Sequence, residues 1–311
     1  MTDIIVIGGG PAGMTAALYA LRNGKTVTVL EKHGCGGQIT HSPKVENWPG
    51  TAQMSGNEYA EALLDQILAQ GADVDLAEVT RVEDLGGVKK VYTDDGQTRE
   101  ARALVIATGV KHRMLGLPGE EALVGEGISF CAVCDGDFYT GKTVCMAGGG
   151  NSALQEAILL AGKCSEVIML QDLDHFTGEK KLQEILFARP NVRCRTGVTV
   201  TALNTDGAGA LTGVTVTEKK TGKQEDIACD GLFVAIGLIP ENEPFALLAK
   251  LNAWGYFDSG EDCATQTPGV FVAGDCRQKA VRQLTTAVGD GAVAALAACR
   301  YIDSQIGRAH V

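Results

Sequence analysis

The hydrophobic pattern opens with a four-residue apolar run over 4–7, a glycine-rich turn, and an almost unbroken apolar stretch over 14–21. The short run bounded by glycines reads as a buried strand and the longer stretch as a helix. A second strand is expected over 26–30. The same succession returns 140 residues later, with a strand over 143–147, a glycine turn, a helix over 154–161 and a strand over 166–170. Each copy closes on an apolar strand that ends in glycine, Leu104-Val-Ile-Ala-Thr-Gly109 in the first and Leu232-Phe-Val-Ala-Ile-Gly237 in the second. Polar, alternating stretches at 89–100 and 211–227 precede these strands and read as small antiparallel insertions. A last apolar strand over 270–273 runs into Gly274-Asp275, and a helix is expected from about 284 to 302. The fold class is therefore α/β, with two doubly wound domains of one type. The C-terminal segment has no glycine turn of its own, so it is expected to complete the first domain. The division expected is 1–112 with 244–311 for the first domain and 113–243 for the second, inserted into it.

The turns carry the first chemistry. Gly8-Gly-Gly10-Pro11-Ala12-Gly13 is G-x-G-x-x-G between a strand and a helix, the context a Rossmann-like dinucleotide site needs. Gly8 makes the turn, Gly10 lets a pyrophosphate approach the backbone, and Gly13 lets helix and strand pack closely. Glu31, 18 residues beyond Gly13, ends the second strand where a carboxylate can accept bonds from ribose hydroxyls. In the second copy Gly148, Gly150 and Ala153 keep the register around Asn151 and Ser152, and Gln171 stands where Glu31 stood.

Composition narrows the classes. A net charge of −11 argues against a nucleic-acid binder or a basic membrane-surface protein. Forty glycines in 311 residues, with only 8 prolines and no period of three, suit tight turns and close ligand approach. No basic segment precedes the first apolar run, so no signal peptide is expected. The uncharged run over 4–21 reaches the lower edge of a membrane span, but its glycines and Pro11 split it. The ten cysteines are expected to be mostly reduced, buried thiols. Cys145 lies in an apolar strand, Cys164, Cys194, Cys229 and Cys299 read as isolated, and Cys35 and Cys276 as packing residues.

Cys131-Ala-Val-Cys134-Asp135 stands apart from these. A zinc half-site would need a second ligand pair, and no other C-x-x-C or close Cys/His pair exists, so no metal is expected. Two unrelated buried thiols are a second reading. The third is a redox dithiol, since this spacing lets two sulphurs close a small ring and a helix start lowers a thiol pKa. Asp135 is then a proton shuttle or, alternatively, a helix cap.

Gly8–Gly13, Gly36-Gly37-Gln38 with Val45-Glu-Asn47-Trp-Pro-Gly50, the Cys131–Gly136 motif, Gly148–Ala153, Gly274-Asp275 and Arg282-Gln283 together resemble the low-molecular-weight thioredoxin reductases. The match runs in order along nearly the whole chain. The resemblance implies FAD in the first domain, a pyridine nucleotide in the inserted one, a homodimer, a cytoplasmic location and a thioredoxin-like partner. By position it makes Cys134 the flavin-facing thiol, Cys131 the attacking one and Asp135 the acid/base. It lines the FAD with Lys32, Gly37, Gln38, Asn47, Thr108, Gly109, Gly274, Asp275, Arg282, Gln283 and Leu284 beside the first loop. Plain turn residues at Gln38 and Asn47, and a solvated charge at Arg282, are the alternatives. Presenting nicotinamide and dithiol to one flavin in turn suits a rotation hinged near 110–119 and 238–244.

One stretch departs from that family. Where NADPH-using members carry H-R-R-x-x-x-R, this chain has Gln171-Asp172-Leu-Asp-His175-Phe-Thr177. The arginines are gone and Asp172 opposes a 2′-phosphate, while Asp172 or Gln171 could bond a free 2′-hydroxyl. NADPH is thus disfavoured. NADH is the first alternative, and a ferredoxin or reduced deazaflavin donor the second. His175 reads as a surface residue. A flavin-dependent dithiol oxidase and a flavin-bound redox sensor with a degenerate donor domain remain the competing functions. The tail 306–311 carries no readable signal.

Overall fold

The computed structural model describes residues 1–42 and 44–308, without the side chains of 306–308, so the tail lies largely outside it. The chain forms two compact units, Met1–Lys111 with Ile239–Val311, and His112–Leu238.

In the first unit β1 (Thr2–Ile7), α1 (Pro11–Arg22) and β2 (Val27–Glu31) follow one another. The helix α2 (Gly56–Ala69), with a Ser55/Glu58 capping box, leads to β3 (Asp73–Leu76). Then β4 (Val79–Asp84), β5 (Lys89–Thr93) and β6 (Thr98–Ile106) complete the sheet, ordered β3-β2-β1-β6-β5-β4, with the strand Val270–Val272 also on β6. The stretch 89–100 is antiparallel as expected, β5 pairing with β4 and with the start of β6, but it belongs to the same sheet as β1. Its last three residues begin β6, which pairs antiparallel with β5 over Thr98–Ala101 and parallel with β1 from Ala101 to Ile106. The strand β4 escaped the sequence reading because only Val79 and Val82 are buried and a bulge at Val79/Arg81 breaks their period.

Residues 4–7 are covered on both sheet faces, as their continuous apolar run requires. The C-terminal helix Leu284–Arg308 packs on α1 through Ala294, Ala295 and Ala298 against Ala16, Ala17 and Ala20. Small side chains bring the backbones together: a Cβ on Gly291 would lie 2.2 Å from the Ala12 carbonyl oxygen.

The second unit holds α3 (Glu120–Leu123), α4 (Ala132–Asp135), α5 (Asn151–Ala161) and α6 (Lys180–Phe187). Its parallel sheet runs Val192–Thr196, Glu166–Gln171, Thr143–Ala147, Gly231–Val234, Ile128–Ser129. Here the antiparallel strands do form a sheet of their own, Val198–Thr205, Leu211–Glu218 and Gln224–Ala228. It begins well before the stretch 211–227. Cys229, isolated in the sequence, is buried in one apolar cluster with Cys145, 84 positions away, because the strand Gly231–Val234 pairs with Thr143–Ala147.

Among the described residues no helix is long and apolar enough to cross a membrane. None of their His, Cys, Asp and Glu side chains converge in a group of three or more that could hold a metal.

Candidate active site

The first unit gathers its glycine motifs at the carboxyl ends of β1 and β6. Gly8 has φ +106°, and a Cβ there would meet the Ala107 carbonyl oxygen at 2.3 Å. A Cβ on Gly13 would lie 1.9 Å from the Gly8 oxygen, so helix and turn touch backbone to backbone. Gly10 caps α1 without a side-chain bond and Pro11 opens it, leaving N–H groups of the first turn free for an anion. Glu31 is half-buried and takes hydrogen bonds from the N–H groups of Gly9 (2.7 Å) and His33 (3.0 Å). Lys32 is ion-paired with Glu241 at 2.9 Å; that bond, against some burial, holds the ammonium above its ordinary range.

The remaining predicted residues of this unit converge on the same loop. Gly37 comes within van der Waals reach of Gly10, and Gly274 (φ +81°) lies against Ala12. Asn47 donates to the Gln283 amide oxygen at 3.2 Å. Arg282 is not a solvated charge: it stacks on Tyr256 and donates to the carbonyl oxygens of Asp275 and Arg277. Gln38 is exposed on a single 3-10 turn, Gly109 sits at φ +68° beyond β6, and Leu284 opens the C-terminal helix. Thr108 donates to Asn242, which is fully buried and in turn donates to the carbonyl oxygens of Gly255 and Cys276. Asn242 was missed from sequence, since an isolated Asn among loop residues gives no signal.

A cleft of about 410 Å³ opens beside this loop, lined by Gly8, Glu31, Lys32, Thr108, Glu241 and Phe245 among others. Asp275 adds a buried Oδ1 with no hydrogen-bond partner among the described residues. Burial pushes its carboxyl up, against Lys279 and Arg282. Behind it, Asp290 of the C-terminal helix binds Arg277 through two 2.8 Å bonds, Lys279 at 2.8 Å and the Gly274 N–H at 3.0 Å.

In the second unit Cys131 and Cys134 are joined as a disulphide, their Cα atoms 5.3 Å apart. Cys131 is the N-cap of the one-turn α4, and its Sγ accepts the Cys134 N–H at 3.2 Å. Both sulphur residues are half-buried, and Val133 between them is 55% exposed. Asp135 ends α4 and does not cap it: its Oδ2 accepts the Ser129 hydroxyl at 2.6 Å, while Oδ1 is buried and unpartnered. Burial raises this carboxyl above its ordinary range, the Ser129 bond opposing.

The second phosphate loop repeats the first up to a point. A Cβ on Gly148 would meet the Ala235 oxygen at 2.4 Å, and Gly150 caps α5, whose first residues are Asn151 and Ser152, with Ala153 buried behind them. The segment after the strand then folds over the loop. Thr177 and Gly178 both donate to the Gly149 oxygen at 2.9 Å, and Asn151 exchanges bonds with Glu179. Gln171 is buried on Gly149 and donates to the His175 carbonyl oxygen, so its amide is already committed. The exposed Asp172 does meet a cation, Lys219 at 3.1 Å, delivered by the antiparallel sheet and missed in the sequence. His175 is exposed beside Asp174.

The sequence pattern described as pyridine nucleotide-disulphide oxidoreductase matches residues 2–291. The chain belongs to this family. It is 38% identical over 301 residues to the "34.2 kDa protein in rubredoxin operon" of Clostridium pasteurianum, covering 96% of this chain and 97% of that protein. It is 35% identical to the thioredoxin reductase of Bacillus subtilis (strain 168), covering 97% and 95%. Among solved structures, thioredoxin reductase from Streptococcus pyogenes MGAS5005 matches with a TM-score of 0.92 at 36% identity, over 98% of this chain and 99% of that one. The fold is thus that of two Rossmann-like dinucleotide-binding domains, and this member of the family is a flavoprotein oxidoreductase of the thioredoxin reductase type.

Proposed function

We propose that the protein passes electrons from a donor, through FAD in the first unit and the Cys131–Cys134 pair, to the disulphide of thioredoxin or a similar protein. The observation that carries this reading is the disulphide beside a buried, half-partnered Asp135. The residues present fit FAD: Gly8, the first residue of the glycine loop, lines the cleft with Glu31 and Thr108, and the orphaned Asp275 Oδ1 lacks a donor that a ligand could supply. Bound there, FAD would supply two-electron transfer chemistry between donor and disulphide.

The chain's own residues divide the remaining work. Cys131 Sγ faces the Cys134 N–H, which stabilises a thiolate at Cys131 and suits it to attack the partner disulphide. Cys134 then resolves the mixed disulphide, and Asp135, raised by burial, holds the proton that the departing thiolate takes. Val133 offers an apolar contact at the rim. The domain roles expected from the sequence, FAD on 1–112 with 244–311 and the dithiol on 113–243, the homodimer and the cytoplasmic location belong to the same reading.

The donor is read as something other than NADPH. Asp172 opposes a 2′-phosphate and already holds Lys219. NADH is favoured by the intact Gly148–Ala153 turn. A ferredoxin or reduced deazaflavin is favoured by Glu179, whose carboxylate stands at Asn151 on the first turn of α5, where a pyrophosphate would be repelled. Anaerobic bleaching of the flavin band by NADH, NADPH or reduced ferredoxin, added one at a time, decides among them. The double variant Asp172→Arg, Thr177→Arg is expected to shift the NADPH/NADH ratio of bleaching rates toward NADPH by roughly tenfold or more, since charge-assisted contacts contribute ~1.5–3 kcal/mol each. A ratio unchanged with both nucleotides active would sink the charge argument, and inertness of both proteins to both nucleotides would favour the protein or deazaflavin donor. Rapid oxygen consumption with a small dithiol and no thioredoxin would instead mark a dithiol oxidase.

A further inference from the structure

The disulphide has a second carboxyl behind it. Glu156 lies on α5, which packs on α4, and its carboxyl feels the backbone N–H of Ala132, the residue directly after Cys131 and the first of α4. Its Oε2 is buried with no hydrogen-bond partner among the described residues, as is Asp135 Oδ1. Two such oxygens beside one disulphide are costly unless a carboxyl there is protonated. Burial accordingly pushes Glu156 up to about 7; the Ala132 N–H opposes this and the Asp135 charge adds to it.

The other charges around it are accounted for. On the α4 side, Asp137 is paired with Lys163, and Tyr139 is pushed up to about 12 by burial and so stays neutral. Below α5, Glu166 of the strand Glu166–Gln171 is paired with Arg193, and the strand Thr143–Ala147 carries no charged residue. The helix α6 brings Lys180, Lys181 and Glu184.

We propose that Glu156 sets the protonation state of the reduced Cys131–Cys134 pair, as a positioning residue acting through the first turn of α4. The proposal rests on the reading of that pair as the redox centre. Two electrons break the S–S bond and leave two thiolates, and two protons convert these to thiols. An ionised Glu156 opposes a thiolate on α4 and drives uptake of the second proton. A protonated Glu156 lets one thiolate persist, ready to attack. The carboxyl thereby makes the nucleophile's charge depend on pH around neutrality.

The test uses the flavin-loaded protein reduced with dithiothreitol, which is oxidised to its cyclic disulphide. After removal of the reductant, iodoacetamide labelling of the peptide holding residues 131–134 is followed by mass spectrometry between pH 5.5 and 8.5. Glu156→Gln removes the anionic form, so labelling should be about tenfold faster than in the native protein at pH 8, one pKa unit being tenfold in thiolate, with the ratio approaching one at pH 5.5. Glu156→Asp should return the native profile, and Glu156→Met replaces the Gln variant should that fail to fold. Coincident profiles, or a ratio independent of pH, overturn the proposal. If dithiothreitol opens no thiols at 131 and 134, the redox-centre reading itself falls.

Discussion

Replacing Cys131 or Cys134 by serine is expected to lower thioredoxin reduction by at least about a thousandfold, while FAD stays bound and reducible. Each sulphur has a separate duty, so neither can stand in for the other. With Cys134→Ser, attack by Cys131 on thioredoxin has no resolving thiol behind it, and a mixed disulphide should accumulate. With Cys131→Ser no such adduct should form, because the sulphur that faces the Cys134 N–H is the one lost. Gel electrophoresis without reductant reads the adduct, and the flavin band reads the upstream step. Cys35 and Cys276 offer little rescue: Cys276 is buried and pushed up to about 11 by burial, and burial also raises Cys35. Full turnover in both variants would move the chemistry elsewhere.

The second large effect concerns stability. Asp290→Ala removes the only salt-bridge partner that Arg277 and Lys279 have among the described residues, with all three side chains at most 10% exposed. Two buried cations would be left uncompensated, a loss of about 3–5 kcal/mol or roughly 6–20 °C in melting temperature. The Gly274 N–H would also lose its acceptor, so the turn that carries Asp275 should loosen and FAD retention fall. Burial alone would raise Asp290, but Arg277 and Lys279 hold its carboxyl below the ordinary range. A depressed folded-state pKa stabilises the protein above the unfolded value of about 3.9 and loses that contribution as pH falls through the folded one. The gap between native protein and variant should therefore be widest at neutral pH and narrow below about pH 4. Scanning calorimetry at pH 7 and at about pH 2.5 checks both points; a melting temperature within a degree or two of native at pH 7 would refute the argument.

What could be read from sequence was local. Gly8–Gly13 and Gly148–Ala153 announce themselves because turn, helix start and strand lie within a few residues of each other. The Cys131–Cys134 pair is legible for the same reason. The missed parts are set by distant segments. Lys219 reaches Asp172 across 47 positions, and Cys145 finds Cys229 across 84. Glu156 sits one place from the exposed Gln155 in a helix, and nothing in its neighbours says that α4 will cover it. The strands β3 and β4 are edge or half-exposed elements with mixed polarity, so their period is too weak to detect.

The split of the first unit between the two ends of the chain has a consequence for its birth on the ribosome. The second unit, His112–Leu238, is contiguous and can close as soon as it emerges. The first cannot: the strand Val270–Val272 that pairs with Leu104–Ile106, and the helix that covers α1, are made last. At about 5–20 residues per second, the nascent β6 waits on the order of ten to thirty seconds for that strand. Throughout that interval an apolar edge and an uncovered helix face stand open, so the youngest form of this protein is the one most in need of a chaperone.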